Sequence, residues 1–239
     1  MASRVGFVGL GIMGKGMAQN LLKKLDGGQS SLVVWNRSPE VCAELSEAFP
    51  GRVTIVSNAA DVVRSCEVTY SMLSTMEASE AVFDPADGGV ISAMSSGKIL
   101  VDCATLSPAR MMHIASEIEK RGGKFLEAPV SGSRVPAETG TLIFLCGGDA
   151  DVFASVSPAL ECMGKASFHL GPVGAGSKMK LVVNMIMGTM MGAFAEGMAL
   201  CDASELPQEM LLQVKLRLTQ QLMSCIGTQT DIITMFSLR

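Results

Sequence analysis

Two lysines open the most chemically suggestive stretch of this 239-residue chain, GPVGAGSKMKLVVNMIMGTMMGAFAEGMALC from Gly171 to Cys201. Lys178 and Lys180 follow a glycine-rich turn, and no further cation appears before Cys201. Lys180 and Asn184 are four residues apart, so a helix would set them on one face, one turn apart. A cation near a helix N-terminus faces the positive end of the macrodipole, and lysines there call for a reason. The stretch is apolar on every side, which predicts a helix buried on most of its circumference. Three readings fit it: a transmembrane span, a plain core helix between domains, or that core helix with a catalytic lysine at its mouth. A span would place Asn184 and Glu196 in hydrocarbon, although Gly188-x-x-x-Gly192 imitates a helix-dimer motif. The core-helix readings are therefore preferred, and only the rest of the chain separates them.

The elements that would position such a lysine begin at the N-terminus. Val5 to Val8 reads as a short strand, and Gly9-Leu10-Gly11-Ile12-Met13-Gly14 follows it before a helical pattern through Met17, Leu21 and Leu22. G-x-G-x-x-G between a strand and a helix is a pyrophosphate cradle: the glycines let backbone approach the phosphates, and the helix N-terminus offers unpaired N–H groups. The next strand, Ser31 to Trp35, ends in Asn36-Arg37-Ser38. A carboxylate near this point would hold a ribose 2′-hydroxyl; an amide, a guanidinium and a hydroxyl instead suit a 2′-phosphate, favouring NADP(H) over NAD(H). Alternation continues through strands Val53–Val56, Glu67–Leu73, Lys98–Cys103, Lys124–Leu126, Thr141–Cys146 and Phe168–Leu170. Helices are expected over Ala59–Arg64 and over Ala109–Arg121, the second with Ser107 as N-cap and Pro108 as first residue. Met72, Leu73 and Thr105 then lie at the carboxyl edge, where open α/β sheets bind ligands. Ser131-Gly132-Ser133 offers hydroxyls and bare backbone N–H groups that suit a carboxylate. Alternation stops at Leu170 to Gly174 and only helix follows, so the expected division is 1–172 and 173–239.

Composition bounds the partners. Net charge is −4 with no block of like charge, which argues against nucleic acid as a main partner. Seven cysteines at wide spacing, with no C-x-x-C, read as reduced thiols in a cytoplasmic setting rather than a disulfide frame or zinc site. His113 and His169 have no metal-spaced neighbour, so no metal is expected. The first strand begins within a few residues of Met1, leaving no room for a leader.

Taken together, GFVGLGIMGKGMAQNLL, VVWNRS, the D-x-x-T of Asp102 to Thr105, FLEAPVSGSRVPAETGTL and GAGSKMKLVVNMIMGTMMGAFAEGMAL resemble the β-hydroxyacid dehydrogenase family. The resemblance is closest to its plant-type glyoxylate/succinic semialdehyde reductases and runs from Arg4 to about Val214. It implies an α/β fold: a Rossmann-like dinucleotide-binding domain, a long interdomain helix and an all-helical C-terminal domain, associating as a homo-oligomer through the helical region. It implies NADPH-dependent reduction of a small oxo acid to the hydroxy acid, with no nucleic-acid or membrane partner. By position it makes Lys180, not Lys178, the catalytic lysine. It sets Ser131 and Gly132 at the substrate carboxylate, Asn184 beside the lysine and Thr105 near the nicotinamide. The physical reading agrees, since a protonated Lys180 could polarise a carbonyl and give a proton to the forming alkoxide, and the helix N-terminus would lower its pKa.

Two departures stand out. The family usually writes Asp-x-Ser-Thr where this chain has Ala104. From about residue 215 the text (KLRLTQQLMSCIGTQTDIITMFSLR) matches nothing in the family, so the helical domain is expected to be truncated. The alternatives are oxidation of the 3-hydroxyisobutyrate dehydrogenase type, or a non-catalytic NADP-binding or interaction module.

Overall fold

The computed structural model describes residues 4–214. Five parallel pairings build its sheet: β2 (Ser31–Trp35) with β3 (Val53–Ile55), β1 (Arg4–Val8) with β2, β1 with β4 (Val68–Ser71), β4 with β5 (Ile99–Asp102), and β5 with β6 (Lys124–Glu127). Beyond β6 the sheet turns antiparallel, with β8 (Leu142–Gly148) pairing β6 and β7 (Val130–Ser131), while β9 (Gly164–His169) lies parallel to β8. The parallel part has the order β3-β2-β1-β4-β5-β6, the doubly wound order in which the chain reverses direction between β1 and β4. This is the expected dinucleotide-binding α/β fold.

Val, Leu and Phe recur in these strands because helices bury both faces of the sheet. Phe7, Leu32, Val34, Tyr70, Val101 and Leu126 join one core with α1 (Ile12–Lys24) and α7 (Ala150–Met163). Val8, Val33 and Leu100 join the other with α3 (Ala59–Ser65) and α5 (Pro108–Glu119). α2 (Pro39–Ala48) packs on β2 and β3, α4 (Met76–Phe83) follows β4 in the chain, and α6 (Arg134–Thr139) packs on α1. That last contact is close because Gly16 has no side chain: a Cβ there would meet the Ala137 carbonyl at 2.9 Å. The buried Asn20 amide donates to Ala137 O at 2.8 Å and Glu138 O at 3.1 Å, tying α6 to α1.

Local side-chain caps mark four of the eight described α-helix starts. Asn58, Thr75, Ser107 and Asp149 each accept a hydrogen bond from a backbone N–H within their first turn. Ser107 and Pro108 stand where the sequence put them. β9 begins at Gly164, earlier than the expected Phe168, because it follows α7 with no loop.

α8 runs from Ala175 to Ala203, and the division between two compact units falls within it, after Val182. In the second unit, Glu205 takes a positive φ of 55° and Leu206 N–H bonds Cys201 O at 2.8 Å, closing the helix. The chain then turns back, and the Gln208 amide donates to Met198 O at 3.1 Å. α8 was expected to be buried on most sides. Among the described residues only Gly176, Ser177 and Lys180 of it are buried, while Met179, Leu181 and Val182 are exposed. No described element covers the remaining faces. By length and composition α8 could cross a membrane, a test that core helices also pass. The expected change of sequence character near residue 215 lies outside the described residues.

Candidate active site

Register explains why distant segments meet at one edge. Trp35 pairs with Val8, Val8 with Ser71, Ser71 with Asp102 and Asp102 with Glu127, so five strands end in one row. Backbone bonds carry the row one residue further: Gly9 N–H donates to Trp35 O (3.0 Å), Met72 N–H to Val8 O (2.9 Å), Cys103 N–H to Ser71 O (2.9 Å) and Ala128 N–H to Asp102 O (2.7 Å).

At the β1 end the glycine turn opens a cavity of about 580 Å³. Its lining contains Gly9, Leu10, Gly11, Ile12, Met13 and Gly14, then Asn36, Arg37 and Ser38, then Met72 and Leu73. All eleven were singled out by sequence. Gly9 needs its glycine, with φ of 91° and the Met72 carbonyl 2.5 Å from where a Cβ would stand. Gly14 lies so near the Gly9 carbonyl that a Cβ would come within 1.9 Å. Gly11 is different: a Cβ there would meet nothing within 4 Å. It precedes α1, which has no side-chain cap and no acid in its first turn. An uncapped helix start facing open space fits a pyrophosphate, and a nicotinamide dinucleotide suits the residues present.

Asn36 does two jobs that the sequence did not reveal. Its Oδ1 accepts from Leu10 N–H at 2.9 Å and its Nδ2 donates to Ser38 O at 3.0 Å. The amide thus braces the glycine turn and the Arg37 loop together. A carboxylate could accept the first bond but could not donate the second. Arg37 and Ser38 are exposed at the cavity wall. Sequence reasoning missed Trp35, Val41, Ser74, Ala78, Ala81 and Val82 in the lining. A full reading of the apolar faces of α2 and α4 could have found the four helical ones, Val41, Ala78, Ala81 and Val82.

The remaining predicted residues stand outside that lining. Thr105 is exposed just beyond β5. Ser131 ends β7 and Gly132 follows with φ of 131°, a conformation that favours glycine. Asn184 lies on the α8 segment of the second unit and is exposed.

Lys180 is 7% exposed, and its Nζ has no ion pair or hydrogen bond among the described residues. Burial holds its pKa below the ordinary lysine value. The expected cause was the helix N-terminus. Lys180 instead lies in the second turn of α8, beyond the reach of the helix end, and desolvation of the amine is what lowers it. Lys178, two residues earlier, is exposed.

Two buried carboxylates, Asp102 and Glu127, end neighbouring strands of the sheet row. Glu127 is bonded through both oxygens to the start of α8. Asp102 accepts from Ser71 Oγ at 2.8 Å and Ala104 N–H at 3.2 Å through Oδ1, while Oδ2 has no partner among the described residues. Burial pushes the Asp102 carboxyl up to about 6, against the pull of those two donors.

Comparison with known proteins places these features. A family model described as the NAD binding domain of 6-phosphogluconate dehydrogenase matches residues 4–171. The chain is 45% identical over 211 residues to glyoxylate/succinic semialdehyde reductase 1 of Arabidopsis thaliana, covering 88% of this chain and 70% of that one. It is 37% identical over 214 residues to the cytokine-like nuclear factor N-PAC of Homo sapiens, covering 88% of this chain and 37% of that protein. Among solved structures, Mycobacterium tuberculosis 3-hydroxyisobutyrate dehydrogenase with L-serine matches with a TM-score of 0.78 at 28% identity, over 90% of this chain and 70% of that chain.

Asp102 gives a testable pH dependence. An unfolded Asp ionises near pH ~3.9, whereas the folded carboxyl holds its proton to about 6. Between those values the folded state binds more protons, so stability falls as pH rises. Two pKa units correspond to about 3 kcal/mol. From pH 4 to pH 7 the natural chain should lose about that much more stability than Asp102→Asn, read by urea unfolding. Parallel pH curves for the two proteins would refute it.

Proposed function

The chain belongs to the β-hydroxyacid dehydrogenase family, and on that footing we propose that it reduces a small aldehyde acid, glyoxylate or succinic semialdehyde, to the hydroxy acid with NADPH. The observation that carries this reading is the buried and unpaired Lys180 amine. An isolated buried cation is costly unless something pairs with it. A carbonyl oxygen becoming an alkoxide is such a partner.

The division of labour follows from the residues. The Gly9 to Gly14 turn and the open start of α1 hold the pyrophosphate, and Arg37 with Ser38 holds the 2′-phosphate. Met72, Leu73 and Thr105 flank the cofactor further along the edge. When bound, the nicotinamide supplies hydride for the carbonyl carbon. Ser131 and the Gly132 turn take the substrate carboxylate, and Asn184 orients the substrate beside the lysine. Lys180 polarises the carbonyl oxygen and gives it a proton; a pKa lowered by burial brings that transfer closer to neutral pH. The same groups would serve hydroxy-acid oxidation in reverse, with Lys180 as base.

A second reading, cofactor binding without catalysis, is favoured by the likeness to N-PAC, a protein named as a nuclear factor. Consumption of NADPH with a panel of small aldehyde acids decides between them, since binding without turnover supports the second.

Two substitutions test the assignments. Arg37→Ala should weaken NADPH roughly 10- to 150-fold, the worth of a hydrogen bond to a charged group, and leave NADH nearly unchanged. Equal losses for both cofactors would remove Arg37 from the 2′-phosphate. Lys180→Ala should lower kcat by roughly 10²- to 10⁴-fold with NADPH affinity intact, whereas Lys178→Ala should cost little. Greater sensitivity at Lys178 would mean that the wrong lysine has been assigned.

A further inference from the structure

Glu127, the last residue of β6, is fully buried. Its Oε1 accepts from Gly174 N–H at 2.6 Å and Gly176 N–H at 2.8 Å, and its Oε2 accepts from Ser177 Oγ at 2.6 Å. The other side-chain caps in this fold come from within the same turn, as with Asn58 on Asp61 or Ser107 on Arg110. The cap of α8 comes from a strand about fifty residues earlier in the chain. A local cap stabilises a helix wherever it lies. A cap from the sheet also fixes where the helix starts relative to the sheet.

The surroundings are built for that contact. A Cβ on Gly147, the register partner of Glu127, would stand 2.4 Å from Glu127 Oε1. A Cβ on Gly176 would stand 2.2 Å from the Leu145 carbonyl and 3.2 Å from the same Oε1. Two bare glycines therefore let the first turn of α8 press on β8 with the carboxylate between them. Gly176, Ser177 and Lys180 are the buried residues of α8, with Lys180 one turn beyond Gly176. The Lys180 amine has no partner of its own among the described residues, so the helix alone decides where it stands.

We infer that Glu127 is a positioning residue: by clamping the first turn of α8 to the end of β6, it sets the place of the Lys180 amine at the carboxyl edge of the sheet. The inference rests on the reading of Lys180 as the proton donor. Glu127 itself touches backbone and Ser177, not the reacting atoms.

The test compares the full chain with Glu127→Ala, Glu127→Gln and Ser177→Ala. Glu127→Gln keeps an oxygen for the two backbone donors, and its NH₂ can donate to Ser177 Oγ, so the clamp survives. Four readouts are taken: amide exchange across 174–180, the rate at which acetic anhydride modifies Lys180, NADPH affinity, and kcat with glyoxylate. Glu127→Ala should speed exchange across 174–180 alone, raise Lys180 modification, and lower kcat roughly 10- to 100-fold, the cost of a slightly misplaced group. NADPH affinity should stay within about twofold, since the glycine turn does not touch the clamp. Glu127→Gln should recover most of the protection and kcat, and Ser177→Ala should fall between, which keeps the test open if the alanine variant does not fold. Unchanged exchange and Lys180 reactivity in both Glu127→Ala and Ser177→Ala would overturn the clamp. Loss of NADPH binding in step with kcat would reduce Glu127 to a general stabiliser. An unsubstituted chain that binds NADPH without turnover would sink the catalytic reading, while exchange and modification still decide the clamp.

Discussion

Parallel pairing in register is the constraint on which the site depends. Trp35, Val8, Ser71, Asp102 and Glu127 end their strands side by side, so each following loop leaves the sheet on the same edge. Slip one strand by a residue and its buried side chains turn to the opposite face. The hydrophobic strands hold the register, because Phe7, Tyr70, Val101 and Leu126 share one core and Val8 and Leu100 the other. Burial thereby sets the edge from which the cofactor turn, the Arg37 loop and the helix carrying Lys180 leave, and the Asn36 and Glu127 hydrogen bonds fix them there.

That edge contains two carboxylates treated in opposite ways. Glu127 has three donors on its two oxygens and is fully engaged. Asp102, its register partner, keeps one oxygen without a described partner, and burial raises its pKa. Donors favour the ionised form of a carboxyl and burial opposes it, and at Asp102 burial outweighs its two donors. Identical chemistry on neighbouring strands thus yields a structural anchor and a group that titrates near neutrality.

Much of this was legible from sequence wherever the cause is local. The glycine turn, the Ser107-Pro108 helix start and the alternation of strand and helix each depend on a few adjacent residues. Causes that span the fold were not legible. Asn36 read as a ligand-facing amide, yet both ends of it are committed to backbone, one of them 26 residues away. Glu127 lay within a recognisable motif but drew no role, because its partners Gly174, Gly176 and Ser177 lie far along the chain. For Lys180 the helix position suggested the macrodipole as the cause of a lowered pKa, whereas burial is what lowers it. The even apolar pattern of α8 predicted burial all round, and pattern alone could not tell which faces the described residues would cover.

The central claim is that a buried lysine acts as proton donor to a substrate carbonyl. The most direct measurement is the single-turnover rate of NADPH oxidation by glyoxylate and by succinic semialdehyde, at saturating cofactor, from pH 6 to 11. Lys180 must be protonated to act, and burial lowers its pKa from the usual value. The rate should therefore fall as pH rises, with a midpoint clearly below ~10.4, the ordinary value for lysine. A rate that stays level through that pH, or cofactor that binds and is never oxidised, would contradict the account.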